Sequence, residues 1–277
     1  MLEVYHYTYF NHLGKYSNIT HYSKSWIGSF MDLREYRLSD SEIERTDDLE
    51  KMFPKDGNIA LDIGARDGHF SKILAGYFNK VLALDLSMPS ISHEKIECVK
   101  GDITKLTFTD GSFDFVFCSE VLEHIPVKLL RTACNELSRV TKTKLLIGVP
   151  YKQDIRVGRT KCVSCGKNNP PWGHVNSFDE KKLADLFPKL KIESISYVGS
   201  NDEATNFLSS FLLDIAGNPY GTYEQEEPCV YCDEVLQAPE NRTFLQKIVS
   251  KFAYIILKIQ QPFIKPHANW IHILFSK

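Results

Sequence analysis

Four stretches of this 277-residue chain have residue types and spacings that could do chemistry. The first is Asp62-Ile63-Gly64-Ala65-Arg66-Asp67-Gly68, where an apolar strand ends in an acid and breaks at a glycine-rich turn. Gly64 and Gly68 let the backbone turn tightly and approach a ligand with no side chain between, and the amides that follow open a helix, an arrangement suited to a nucleotide-like cofactor. Asp62, at the strand's carboxyl end, can accept a hydrogen bond from a cationic or hydroxyl-bearing group. The second stretch holds Glu120, Glu123 and His124, just beyond an apolar run at 113–118. His124 has the intrinsic pKa of a general base and is the first choice for taking a proton from an acceptor, with Glu120 second. The alternative for His124 is a structural one, fixing the turn before Pro126.

The third and fourth stretches are Cys162-Val163-Ser164-Cys165 and Cys229-Val230-Tyr231-Cys232. Together they supply four thiolates at a spacing that suits tetrahedral zinc, and four protein ligands leave no open position, so the metal is expected to be structural. Redox or disulfide pairs, or cysteines without a role, are the alternatives. His174 could replace one thiolate or contact substrate.

The glycine spacing departs from the dinucleotide fingerprint G-x-G-x-x-G, since the glycines stand four apart with Arg66 between them. It resembles motif I of the class I S-adenosylmethionine-dependent methyltransferases. Two further strand ends strengthen the likeness. Lys80-Val81-Leu82-Ala83-Leu84-Asp85 ends in an acid about twenty residues past the loop, where doubly wound sheets read ribose hydroxyls, and Gly101-Asp102 closes another short strand. Ser112 to Ile125 looks like the family's fourth strand and its exit loop. The resemblance implies that Asp62, Gly64, Ala65, Arg66 and Gly68 hold the methionine portion, Asp85 and Leu86 the ribose side, and Asp102 with Ile103 the adenine, with Ser119 also touching cofactor. Arg66 departs from the commoner glycine or cysteine. The implied fold is α/β: a doubly wound, mostly parallel seven-stranded sheet whose last strand is antiparallel.

These residues must be positioned by regular elements. Apolar runs at 59–63, 80–85, 96–99, 113–118 and 144–149 are continuous rather than alternating, which predicts parallel strands covered on both faces, with helices between them and a short one between the second and third strands. A helix over 40–53 is expected behind Ser39, with Glu42 completing a capping box. The organisation read from this is an aromatic-rich arm and helix at 1–54, a cofactor-binding core at 55–150, a first cap insertion at 151–176, a core helix and strand at 177–199, a second cap insertion at 200–267 and a last strand at 268–277. The arm, rich in Tyr, His and Trp, is read as a lid over the pocket or as packing against the sheet. Residues 243–259 predict a helix apolar over more than half its circumference, facing either the core or a lipid surface.

A formal net charge of −2 removes the basic signature expected of a nucleic-acid binder. No apolar run is long enough for a membrane span and the start lacks a cationic leader, so a cytoplasmic protein with reduced cysteines is expected. Cys98, Cys118 and Cys134 fall in strand or helix patterns and read as buried apolar residues. The reading is therefore a methyltransferase with a zinc-stapled cap, using S-adenosylmethionine to modify an oxygen or nitrogen of a small-molecule or glycan-type acceptor, lipid-linked ones included. A non-catalytic binding module on the same fold is the rival. A nicotinamide-dependent oxidoreductase is the other, for which Asp85 fits and the glycine spacing does not.

Overall fold

The computed structural model describes residues 6–10, 16–20 and 34–277. The chain forms two units, 1–37 and 38–277. In the first, strands β1 (His6–Phe10) and β2 (Tyr16–Thr20) pair antiparallel, and a single turn α1 (Arg34–Arg37) follows. The expected lid or wall role of the aromatic arm rests on side chains that lie outside the described residues.

The second unit opens with α2 (Asp40–Lys51), whose first turn is closed by the Ser39 hydroxyl accepting the Glu42 amide. Glu42 was expected to complete a capping box. Its carboxylate instead accepts a bidentate pair from Nε and Nη2 of the Arg45 guanidinium, each at 2.8 Å. The sheet elements are β3 (Ile59–Ile63), β4 (Lys80–Asp85), β5 (Ile96–Lys100), β6 (Phe113–Ser119) and β7 (Thr141–Pro150), with α3 (His69–Leu74) after β3 and α4 (Val127–Val140) after β6. The short helix expected between β4 and β5 does not form. Pro89 and the serines at 87, 90 and 92 leave 86–95 irregular, because proline lacks a donor and serine competes for backbone bonds. A small hairpin, β8 (Thr160–Lys161) with β9 (Asn168–Asn169), lies in the first excursion. Then follow α5 (Glu180–Leu186), β10 (Lys191–Val198), α6 (Phe207–Ile215), α7 (Phe244–Gln260) and β11 (Trp270–Ser276). α5 starts later than its apolar pattern suggests because the Asp179 side chain takes the Lys182 amide and caps it there.

The strand order is β10-β11-β7-β6-β3-β4-β5, with β11 antiparallel to both neighbours. The chain steps outward from β3 through β4 to β5, then returns to β6 and builds the other way. The reversal lies between β3 and β6, and ligands of such sheets bind outside the carboxyl ends at that point. Both faces are covered. On one, α4 buries Leu130, Ala133, Cys134, Leu137 and Val140 at helical spacing against Leu61, Val116 and Ile147. On the other, Leu49 of α2, Phe53 just past its end and Leu74 of α3 pack on Phe115 and Phe117. Truncating a fully buried leucine in such layers costs about 2–5 kcal/mol, so the sheet is a stiff platform for its edge.

Candidate active site and cysteine clasp

The glycine loop is shaped by backbone that only glycine fits. Gly64 has φ +77° and Gly68 φ +76°, and a Cβ would meet the Val121 side chain at 2.4 Å in the first case and Ile91 at 2.5 Å in the second. The amides of Gly64 and Ala65 both bond the Leu84 carbonyl, at 2.8 and 3.1 Å, which pins the loop to the next strand. Asp62 is buried and receives the Ser71 hydroxyl at 2.5 Å. The Asp85 carboxylate takes the Arg66 amide at 3.0 Å and the Ser87 amide at 3.1 Å. Asp102 holds Thr104 through its amide and hydroxyl, while Ile103 is buried under it. Leu86 and Met88 stand exposed beside Asp85, an apolar shelf next to the acid.

The residues expected to contact S-adenosylmethionine thus lie along the ends of β3, β4, β5 and β6. A close-walled glycine cradle, an acid at the end of β4 and an apolar shelf suit its methionine, ribose and adenine parts in turn. Ser119 also lies at this edge, and its hydroxyl accepts from Arg45 at 2.9 Å. That buried Glu42, Arg45 and Ser119 chain, with the guanidinium over the Phe70 and Trp270 rings, is invisible in the sequence.

Beyond Ser119 the chain turns sharply. Glu120 has φ +56°, and its amide bonds the Gly148 carbonyl at 3.0 Å. Glu123 is fully buried, and that burial, with the Glu120 charge beside it, raises its carboxyl well above the usual range. His124 and His174 meet edge to face with ring centroids 4.7 Å apart. Burial, then the nearby Arg66 charge, lowers His124 to about 4. Burial, then His124 itself, lowers His174 to about 3. His174 therefore sits with His124 and not with the cysteines.

The two cysteine pairs converge. Cys162 Sγ lies 3.7 Å from Cys232 Sγ, and Cys165 Sγ 3.6 Å from Cys229 Sγ, and all four sulfurs fall within 4.8 Å of one another. Disulfide sulfurs stand about 2.05 Å apart, whereas the edge of a tetrahedron with zinc–sulfur bonds of about 2.3 Å is about 3.8 Å. The spacing fits one ion. Each pair forms the same knuckle: the Gly166 amide returns to the Cys162 carbonyl and the Asp233 amide to the Cys229 carbonyl, both at 2.9 Å, with φ of +70° and +63° at those residues. Burial pushes the Cys229 thiol up, but the amides of Tyr231 and Cys232 aimed at its sulfur outweigh this and bring it down to about 6. Such amides favour the thiolate, the form that binds metal.

Comparison with known proteins bears on the sheet that carries this edge. A family model described as a methyltransferase domain matches residues 61–146. An uncharacterized protein of Methanocaldococcus jannaschii is 32% identical over 111 residues, 39% of this chain and 47% of that protein, so the match spans about half the length of the curated relative. Among solved structures, a candidate methyltransferase of Bacillus halodurans is 16% identical with a TM-score of 0.51, covering 83% of this chain and 96% of that one. The N-methyltransferase NodS of Bradyrhizobium japonicum is 14% identical with a TM-score of 0.50, covering 87% and 98%. At those identities the likeness speaks for the fold. Residues 61–146 thus match a methyltransferase domain, and the sheet around them has the fold of the solved methyltransferases it resembles.

Proposed function

We propose that this chain moves a methyl group from S-adenosylmethionine to an oxygen or nitrogen of a small-molecule or glycan-type acceptor, beneath a cap stapled by structural zinc. The observation that carries the reading is the cradle at Gly64 and Gly68, where any Cβ would strike a neighbour, set one strand from the Asp85 carboxylate. When bound, the cofactor supplies a methyl carbon already activated by a sulfonium. An acceptor lone pair would bond that carbon as the methyl–sulfur bond breaks, with that bond's electron pair left on sulfur and the acceptor's proton passing to solvent or to a base. Placement can therefore account for much of the acceleration. His124 and Glu120, at the exit of β6, are the acceptor-side groups. Cys162, Cys165, Cys229 and Cys232 hold the zinc and join the two excursions.

The partner surface extends this reading. α6 and α7 pack together, yet Phe207, Phe211, Phe244, Phe252 and Ile259 are all more than half exposed, with Lys247, Lys251 and Lys258 among the residues of α7. Aromatic and aliphatic side chains interleaved with lysines suit the face of an anionic bilayer. No described helix is long and apolar enough to cross a membrane. A cleft of about 570 Å³ opens beside this face, lined in part by Arg156, Tyr220, Tyr254 and Lys258, groups suited to a sugar or phosphate. These features support a lipid-linked acceptor met at a membrane surface.

Calorimetric titration with S-adenosylmethionine, S-adenosylhomocysteine and NAD tests the cofactor. Binding of the first two and not the third is expected. Binding of NAD alone would overturn the reading, and binding of none would leave only a scaffold.

A further inference from the structure

Beside the exit of β6, three side chains converge for which cofactor binding gives no reason. Neither carboxylate oxygen of Glu123 has a hydrogen-bond partner among the described residues, although the residue is 0% exposed. A buried carboxylate is strongly disfavoured unless it is paired or binds a metal. Protonation leaves it with an unsatisfied O–H donor in place of a charge. The two imidazoles of His124 and His174 face the same point: one carboxylate oxygen and one nitrogen from each ring lie within 4.8 Å of one another.

The setting is built to hold them. The Val175 and Asn176 amides bond the Glu123 carbonyl at 2.8 and 3.2 Å. The Asn176 side-chain amide donates to the Leu122 and Ile125 carbonyls at 3.0 and 2.6 Å. These four bonds stitch the segment following His174 onto the Glu123 turn. His174 Nδ1 lies 2.7 Å from Gln153 Oε1. With that oxygen as acceptor, Nδ1 carries the proton and Nε2 keeps a lone pair, as outer partners arrange for metal-binding histidines. His124 is open in part to solvent, which gives an ion a way in.

We propose that Glu123, His124 and His174 bind one divalent transition-metal cation, distinct from the four-cysteine site. Two imidazoles and a carboxylate suit Mn²⁺, Fe²⁺, Co²⁺ or Zn²⁺ rather than the softer thiolate-seeking ions. Three protein ligands leave positions for water and for an acceptor oxygen. The inference rests on the methyltransferase reading and sharpens it. Val121, in the same turn, walls the Gly64 cradle, so a cation held there would lie beside the proposed cofactor loop. There it would favour loss of the proton from an acceptor hydroxyl. The acceptor atom is then oxygen, and His124 serves as a ligand rather than as a free base.

The test is titration with Mn²⁺ of the full chain carrying one equivalent of zinc, which the four thiolates take first, followed by electron paramagnetic resonance. Zinc already fills the thiolates, and Mn²⁺ prefers oxygen and nitrogen donors. About one tightly bound Mn²⁺ per chain is expected, weakened by more than about tenfold in Glu123→Gln and in His174→Gln. Gln153→Ala, which touches no proposed ligand atom of the cation, should weaken it with an unchanged melting curve, and so keeps the test valid if the other variants fold poorly. No bound Mn²⁺, or binding unchanged across the three variants, would overturn the proposal. S-adenosylhomocysteine calorimetry on the same samples separates the two readings: cofactor bound without Mn²⁺ sinks the cation site alone, and Mn²⁺ bound without cofactor sinks the methyltransferase reading.

Discussion

The Arg66 guanidinium in the glycine loop meets the Glu226 carboxylate of the second excursion at 3.1 Å, across 160 residues of sequence. The residue that departs from the family's commoner glycine therefore ties the cap to the cofactor loop. Both side chains are about half exposed, so the pair contributes at most about 1 kcal/mol. Against it stands φ +43° at Arg66, a left-handed conformation costing a non-glycine residue about 1–2 kcal/mol. Arg66→Gly should therefore match or exceed the wild type in denaturant midpoint, while Arg66→Ala, which keeps the strain and loses the pair, should fall below it. A large loss in Arg66→Gly would show that the ion pair outweighs the strain.

Asp85→Ala should weaken S-adenosylhomocysteine by at least about tenfold in calorimetry, the loss of one hydrogen bond to a charged acceptor. The carboxylate also holds the Arg66 and Ser87 amides. Both are near solvent, so the melting midpoint should fall only slightly. Unchanged affinity would place the ribose elsewhere.

Most of the sheet could be read from the chain because continuous apolar runs report burial on both faces, and the strands form where those runs lie. The convergence of the cysteines was legible for another reason: two C-x-x-C pairs have the spacing of a shared metal site, and their sulfurs do come together. What could not be read are polar contacts made only by tertiary proximity. Arg45 and Ser119 are 74 residues apart and Asp48 and His272 are 224 apart, and no periodicity marks either pair. His174 likewise had two roles open until the fold set it beside Glu123 and His124.

Stability should fall on mild acidification, and His272 is one cause. The ring is 0% exposed, and its Nδ1 bonds Asp48 Oδ2 at 2.6 Å. Burial lowers its pKa from the ordinary 6.5, aided by the charge of Arg45 and opposed by Asp48, the charged groups that face it from α2. The unfolded chain takes up the proton near pH 6.5 while the folded one resists. The stabilisation is therefore complete above pH 6.5 and declines below it, with a slope of at most about 1.4 kcal/mol per pH unit for this one group. His272→Gln, although less stable at pH 7.5, should show a flatter profile between pH 6.5 and 4.5 in urea melts. Parallel profiles would remove His272 as a source.

The α6 and α7 face predicts sedimentation with vesicles that contain anionic lipid and little binding to neutral ones. Phe244→Ser with Phe252→Ser should abolish it, since each removes apolar area from the bilayer contact. The double variant should keep its melting midpoint, because both rings are exposed. Binding unchanged by the two substitutions would return α7 to a plain surface helix.

The cysteine clasp gives the prediction with the widest structural reach. Among the described residues, only Leu236 and Tyr223 pack with the cysteines in their small cluster, too little apolar area to offset the entropy of ordering two long excursions. Metal ligation would make up the difference, because binding to the folded arrangement adds directly to folding free energy. Elemental analysis should find about one tightly held zinc per chain, beyond any cation at Glu123, and X-ray absorption should show sulfur at about 2.3 Å. Cys229→Ser removes a buried ligand and should release that zinc, exposing residues 151–176 and 200–267 to protease. The sheet packs through its own two cores, so S-adenosylhomocysteine binding and the far-ultraviolet circular dichroism of the core should persist. Zinc-free protein with an ordered cap would mean that the four sulfurs meet by packing alone. Loss of the whole fold in Cys229→Ser would mean that cap and sheet are one cooperative unit.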